Sequence, residues 1–130
     1  MAFAIAKTDD TKGLVFGYAN QITDGAGQPV VDSQGDVIGV SDLEDAAVEF
    51  MQDYRKSGVM HTGLAVGNIV ESAVLYPEKW AAMGIPEGVA KAMPSGWWIG
   101  VKVGPEVMAK VKDGTYQMFS IQGEAVREPV

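Results

Sequence analysis

The segment DLEDAAVEFMQDYRK, residues 42–56, predicts the longest helix of this chain. Its apolar residues recur at spacings of three and four: Leu43, Ala46, Ala47, Phe50, Met51 and Tyr54. Such a stripe is typical of a helix that packs one face on a core. Ser41 followed by Glu44 predicts a capping box at its start, and Gly58 predicts its end. We therefore expect an amphipathic core helix with no functional role.

Short apolar runs separated by glycine, proline and aspartate surround this helix and predict strands. They cover residues 2–7, 13–19, 59–63, 68–76, 97–103 and 116–126. Pro77 and Pro105 each predict the start of a shorter helix. Six or seven strands with one long helix early and no regular β-α-β alternation indicate an α+β domain. We expect one domain over residues 1–130, built on a mainly antiparallel β-barrel or sheet with flanking helices.

Composition excludes several classes of protein. The chain has 130 residues, of which 47% are hydrophobic and 21% charged, as in globular domains. No apolar run approaches the roughly 20 residues that span a bilayer, and residues 1–6 are too short for a signal peptide, so we expect no membrane association. The net charge of −7 argues against a nucleic-acid partner.

The residue types also argue against metals and cofactors. The chain has no cysteine, which excludes disulfides and zinc–thiolate sites, and a single histidine argues against a multi-histidine metal site. Asp32 and Asp36 lie in glycine-rich turns, but they lack the further ligands of a calcium loop. We interpret them as turn caps and expect no cofactor.

The chain offers one candidate nucleophile–base pair. If the protein is an enzyme, Ser120 is the nucleophile and His61 is its base, because a serine hydroxyl needs a neighbouring group to take its proton. Alternation along the last strand places Ser120 on a wetter face with Met118, while Phe119 and Ile121 point into the core. Ser120 and His61 lie 59 residues apart, so only the fold could bring them together.

An ordered set of short motifs resembles the XkdF-like family of phage prohead (capsid maturation) proteases. In chain order these are Asp32-x-x-Gly35-Asp36, the helix ending in Phe50-Met51, His61, Ile69-Val70-Glu71-Ser72, Gly96-Trp97-Trp98-Ile99-Gly100-Val101-Lys102-Val103, Val111-Lys112-Asp113-Gly114 and Phe119-Ser120-Ile121-x-Gly123. The resemblance extends from about residue 12 to residue 124.

This resemblance implies a serine endopeptidase that acts inside the immature phage capsid in the host cytoplasm. Its substrates would be the phage scaffold and the major capsid protein, with possible self-cleavage and a homo-oligomeric state. The implied fold is that of the herpesvirus maturation protease, a closed β-barrel ringed by helices. His61 matches the family's histidine, and Ser120 matches the serine of its Phe-Ser-Ile motif.

The herpesvirus relatives use serine with two histidines, whereas this chain has only His61 to offer. We name Glu71 as the third catalytic residue, because it follows His61 in the next strand and a carboxylate there would orient the imidazole. Ile69, Ala73 and Leu75 would share its face, and a carboxylate among apolar neighbours needs a partner. Other candidates remain open: Asp36, Asp113 and Glu124 as acids, and Lys102 as the base of a Ser–Lys pair.

Two other functions are compatible with the sequence. Met118 and Gln122 replace small residues that the family pattern has beside the serine, which fits a catalytically silent capsid-associated binding or scaffolding module. Trp97 and Trp98 would suit a small-molecule-binding barrel, although paired aromatic residues are typical of cores.

Overall fold

The computed structural model describes residues 2–30, 38–56, 67–120 and 125–127, and within them the chain is α+β, as predicted. The described elements follow in this order: β1 (Ala2–Asp9), β2 (Leu14–Gln21), α1 (Val40–Lys56), β3 (Gly67–Leu75), α2 (Pro77–Ala82), α3 (Glu87–Ala90), β4 (Gly96–Val103), α4 (Pro105–Lys112), β5 (Tyr116–Ser120) and β6 (Ala125–Arg127). None of these helices is long and apolar enough to cross a membrane. The predicted strand at 59–63 and the turns at Asp32 and Asp36 lie outside the described residues.

The six described strands form one sheet in the order β3-β4-β2-β1-β5-β6. Every neighbouring pair is antiparallel, which confirms the antiparallel sheet. β4 lies between β2 and β3, although both precede it in the chain. The predicted strand over residues 116–126 is in fact two strands, β5 and β6, which pair antiparallel with each other.

The closed barrel that the resemblance implied is not formed by the described strands. Closure would require hydrogen bonds between β3 and β6, the first and last strands of the order, and these two strands do not pair. The architecture over the described residues is therefore an open sheet.

The core lies between α1 and one face of the sheet. Strand β4 alternates strictly there, with Trp97, Ile99, Val101 and Val103 all buried. The Phe50 ring of α1 meets the Trp97 ring edge to face, with centroids 5.4 Å apart. Leu43, Ala47, Phe50 and Met51 of the α1 stripe thus pack on the core as predicted, whereas Ala46 is exposed. The side chain of Tyr54 lies outside the described part of the chain.

The start of α1 differs from the prediction. The helix begins at Val40, and the Leu43 N–H already donates to the Gly39 carbonyl across 3.0 Å. Ser41 therefore lies inside the first turn, where it cannot act as the N-cap of a capping box. The Glu44 carboxylate instead accepts a hydrogen bond from the Tyr76 hydroxyl at 3.0 Å. Its other oxygen lies 2.6 Å from the Lys79 ammonium, so Glu44 ties α1 to α2.

Candidate active site

Ser120 is the last residue of β5, and its backbone position is fixed by pairing with β1. In that ladder Ser120 lies opposite Ala2, and Met118 lies opposite Ala4. Ala4 in turn lies opposite Tyr18 of β2. Because alternate residues of a strand belong to the same face, positions 118 and 120 belong to the sheet face that carries Tyr18. This is the face away from the α1 core.

Three half-buried aromatic side chains, Phe16, Tyr18 and Trp98, define what we call the aromatic face. The rings of Phe16 and Trp98 are stacked, with centroids 6.5 Å apart and planes 13° apart. Tyr18 meets Trp98 edge to face at 5.3 Å, and its hydroxyl donates to the Pro94 carbonyl at 2.6 Å. Burial raises the pKa of this hydroxyl. The Lys7 ammonium lies 5.2 Å from the Phe16 ring centre.

Glu71 belongs to the aromatic face and is exposed to solvent, which corrects the apolar setting that simple alternation predicted. The reason is a bulge in β3: Ile69 lies opposite Val101, but Glu71 lies opposite Gly100. The extra residue inverts the alternation, so Ile69 points into the core and Glu71 points away from it. Its carboxylate accepts a hydrogen bond from the Trp98 indole N–H at 3.2 Å.

Glu71 and Ser120 belong to strands that lie four positions apart in the sheet. At the usual strand spacing this is about 19 Å across a flat sheet, more than one imidazole can bridge. His61 lies outside the described residues, so its pairing with Ser120 stays a prediction, and so does a catalytic role for Glu71.

Two alternative candidates have structural roles of their own. The Asp113 carboxylate accepts the Thr115 backbone N–H at 2.8 Å and closes the turn after α4. Two hydrogen bonds from Thr115 lower the pKa of the Asp113 carboxyl. The bond from the Thr115 side chain has the larger effect, and the bond from its backbone N–H has the smaller one. Lys102 is exposed, and its ammonium donates to the Lys12 carbonyl at the β1–β2 turn. Asp36 and Glu124 lie outside the described residues.

Trp97 and Trp98 lie on opposite faces of the sheet, so they do not form a shared binding surface. Trp97 is buried in the core, and its indole N–H donates to the Ser72 hydroxyl at 2.8 Å. The small-molecule-binding interpretation therefore loses its basis.

In the described parts of the chain, no group of three or more histidine, aspartate or glutamate residues could hold a metal ion.

The sequence analysis did not predict that Phe16, Tyr18 and Trp98 lie together on one face of the sheet. Phe16 and Tyr18 are two residues apart in β2, and Trp98 lies directly opposite Tyr18 in β4. Alternation along residues 13–19 would have placed the first two on one face. Their association with Trp98 depends on a pairing between strands that are distant in sequence, which no local signal shows.

The comparison with protein families gives a match over nearly the whole chain. The model of the family described as "Putative phage serine protease XkdF" matches residues 2–128. The chain belongs to this family. The match confirms the XkdF-like resemblance. Comparisons with curated proteins and with solved structures found no match.

Proposed function

We propose that the chain is a serine endopeptidase that cleaves phage scaffold or major capsid protein segments during head maturation. The observation that carries this proposal is the family match over residues 2–128, which includes both Ser120 and His61. The sheet supports it by pairing the backbone of Ser120 with β1, opposite Ala2.

The proposed chemistry follows from the two side chains. His61 takes the proton of the Ser120 hydroxyl while the oxygen attacks the peptide carbonyl carbon. Backbone N–H groups stabilise the negative oxygen of the tetrahedral intermediate. The C–N bond then breaks, His61 returns the proton to the leaving amine, and an acyl-enzyme remains on Ser120. Water, deprotonated by His61, hydrolyses the ester and regenerates the serine.

The setting of this reaction is also proposed. The enzyme would act in the host cytoplasm, inside the immature capsid, as a homo-oligomer that also cuts itself. We further propose a relation to the herpesvirus maturation protease, supported by the antiparallel sheet with flanking helices.

Light scattering of the purified chain at increasing concentration tests the proposed homo-oligomer. A mass that stays at 13.8 kDa throughout would contradict it.

The substrate assignment is tested by co-expressing the chain with the scaffold and major capsid protein of the same phage. Intact-mass spectrometry should show new fragments of one or both proteins. The fragments should be absent with Ser120→Ala or His61→Ala and present with Ser41→Ala, which changes an exposed helix serine. Fragments that persist with Ser120→Ala would overturn the proposal.

One observation favours a second candidate, a silent head-associated module. Glu71, a described candidate for the third catalytic residue, belongs to a strand that lies four positions from that of Ser120 in the sheet. A silent module would leave head assembly and protein processing unchanged when the phage carries Ser120→Ala. Failure of processing in that phage would reject this candidate.

A further inference from the structure

A cavity of about 560 Å³ lies where the β1–β2 turn, the end of β4 and the start of α4 meet. Three lysines line it, Lys12, Lys102 and Lys112, and we call it the lysine cavity. Asp10 is its one acidic lining residue. The cavity therefore has a formal charge of +2 on a chain whose net charge is −7.

The wall of the lysine cavity is held in place by hydrogen bonds to the β1–β2 turn. The Val103 N–H donates to the Gly13 carbonyl at 2.9 Å, and the Lys12 N–H donates to the Asp9 carboxylate at 3.1 Å. The Lys102 ammonium donates to the Lys12 carbonyl. A binding surface whose backbone is already fixed loses less conformational entropy when a ligand binds.

The lysine ammonium groups of the cavity differ in whether a carboxylate neutralises them. The Lys112 ammonium lies 2.7 Å from the Asp10 carboxylate, and this hydrogen bond lowers the pKa of Asp10. The Lys12 ammonium has no hydrogen bond or ion pair with any of the described residues. Lys12 is also exposed, so its charge is available to a ligand.

We propose that the lysine cavity binds an acidic polypeptide segment. Side-chain carboxylates can pair with the ammonium groups, and Met108 and Ala109 offer apolar contact to the carbon atoms of the ligand. The cavity volume is in the range that holds ligands of a few side chains. Charge complementarity is the main argument, because such pairs favour encounter and select against basic partners.

Nucleic acid fits the lysine cavity less well. None of the described residues that line it is aromatic, so bases have no described side chain on which to stack. Outside the cavity the chain has a formal charge of −9, which would repel an extended phosphate backbone. An acidic segment of polypeptide can place its few charges inside the cavity alone.

The lysine cavity is distinct from the proposed active site. Ser120 pairs with Ala2 at one end of β1, whereas the cavity begins at Asp10, just beyond the other end. At about 3.3 Å per residue these positions are roughly 26 Å apart. Binding here therefore goes beyond the proposed cleavage and does not depend on it.

The test is a binding titration of the full chain with fluorescein-labelled oligoglutamate, followed by fluorescence anisotropy. Binding should be measurable at low salt and lost at about 1 M salt, where the Debye length is about 3 Å. Lys12→Glu should weaken it by about tenfold, the order expected for reversing one exposed charge. Lys91→Glu is the matched control, since Lys91 is exposed on a different part of the surface, and it should leave affinity within about twofold.

Circular dichroism of both variants separates loss of binding from loss of folding. Three results would overturn the proposal: no binding by the unmodified chain at low salt, equal affinities of folded Lys12→Glu and Lys91→Glu, or persistence of binding at high salt. Tighter binding of single-stranded DNA of equal charge would also overturn it, because the cavity would then favour phosphates.

Discussion

The indole N–H of Trp98 donates to the Glu71 carboxylate across 3.2 Å and links β4 to β3 on the aromatic face. This bond occupies one carboxylate oxygen of Glu71. The strand that carries Glu71, β3, lies four positions from β5, the strand that carries Ser120. Glu71 therefore has a structural role at the sheet edge, and its catalytic role stays a prediction. The consequence can be measured.

Glu71→Gln should have a small effect on the reactivity of Ser120. Glutamine keeps an acceptor for Trp98 and removes only the charge, so we expect the rate of Ser120 labelling by a phosphonate to change less than about tenfold. Loss of the orienting carboxylate in a serine triad costs about 10⁴ in kcat. A drop of that size in a folded Glu71→Gln protein would establish Glu71 as the third catalytic residue.

Gly100→Ala should destabilise the protein by about 1–3 kcal/mol, because overpacking displaces neighbouring groups. A Cβ at this position would lie 2.9 Å from a ring carbon of Phe16. Gly88→Ala, in α3, is the matched control, since a Cβ there meets nothing within 4 Å. Urea unfolding should show the first variant destabilised and the second unchanged or slightly more stable. Equal stability of the two would contradict the packing of Phe16 over Gly100.

Ile99→Ala should be among the most damaging core substitutions. Ile99 is fully buried on β4, and such truncations cost about 2–5 kcal/mol. Val48→Ala removes an aliphatic side chain that is 53% exposed on α1, and it should change stability by less than about 0.5 kcal/mol. Denaturant midpoints measure both. A cost for Val48→Ala as large as that for Ile99→Ala would mean that α1 packs differently.

The Asp10–Lys112 ion pair should make stability depend on pH in the acid range. The hydrogen bond from Lys112 holds the pKa of Asp10 below its usual value of 3.8. Because the folded pKa is the lower one, the contribution is complete above 3.8 and is lost as pH falls through the folded pKa. The difference in unfolding free energy between the unmodified protein and Asp10→Asn should be constant near neutral pH and shrink below about pH 4. A difference that grows on acidification would contradict this assignment.

Local patterns predicted much of the fold. The stripe of α1, the strands β1, β2 and β4 and the helix after Pro105 all follow from periodicity and from helix-start signals. The prediction that Glu71 shares a face with Ile69 failed for a local reason. The β3 bulge adds one residue that no sequence pattern shows, and it moves Glu71 from the core side to the solvent side.

Strand order could not be predicted, because it depends on contacts between residues far apart in the chain. The insertion of β4 between β2 and β3 places Trp98 beside Tyr18 and separates Glu71 from Ser120. The candidate serine and histidine were identified by motif alone. Their catalytic roles stay predictions.

The most direct test of the central claim is the site of covalent labelling by a fluorophosphonate at high protein concentration. Peptide mass spectrometry should find the adduct on Ser120, and His61→Ala should abolish it. Ser41→Ala, the matched serine control, should label like the unmodified protein. An adduct on another serine, or full labelling of Ser120 in the His61→Ala protein, would contradict the proposed nucleophile and base.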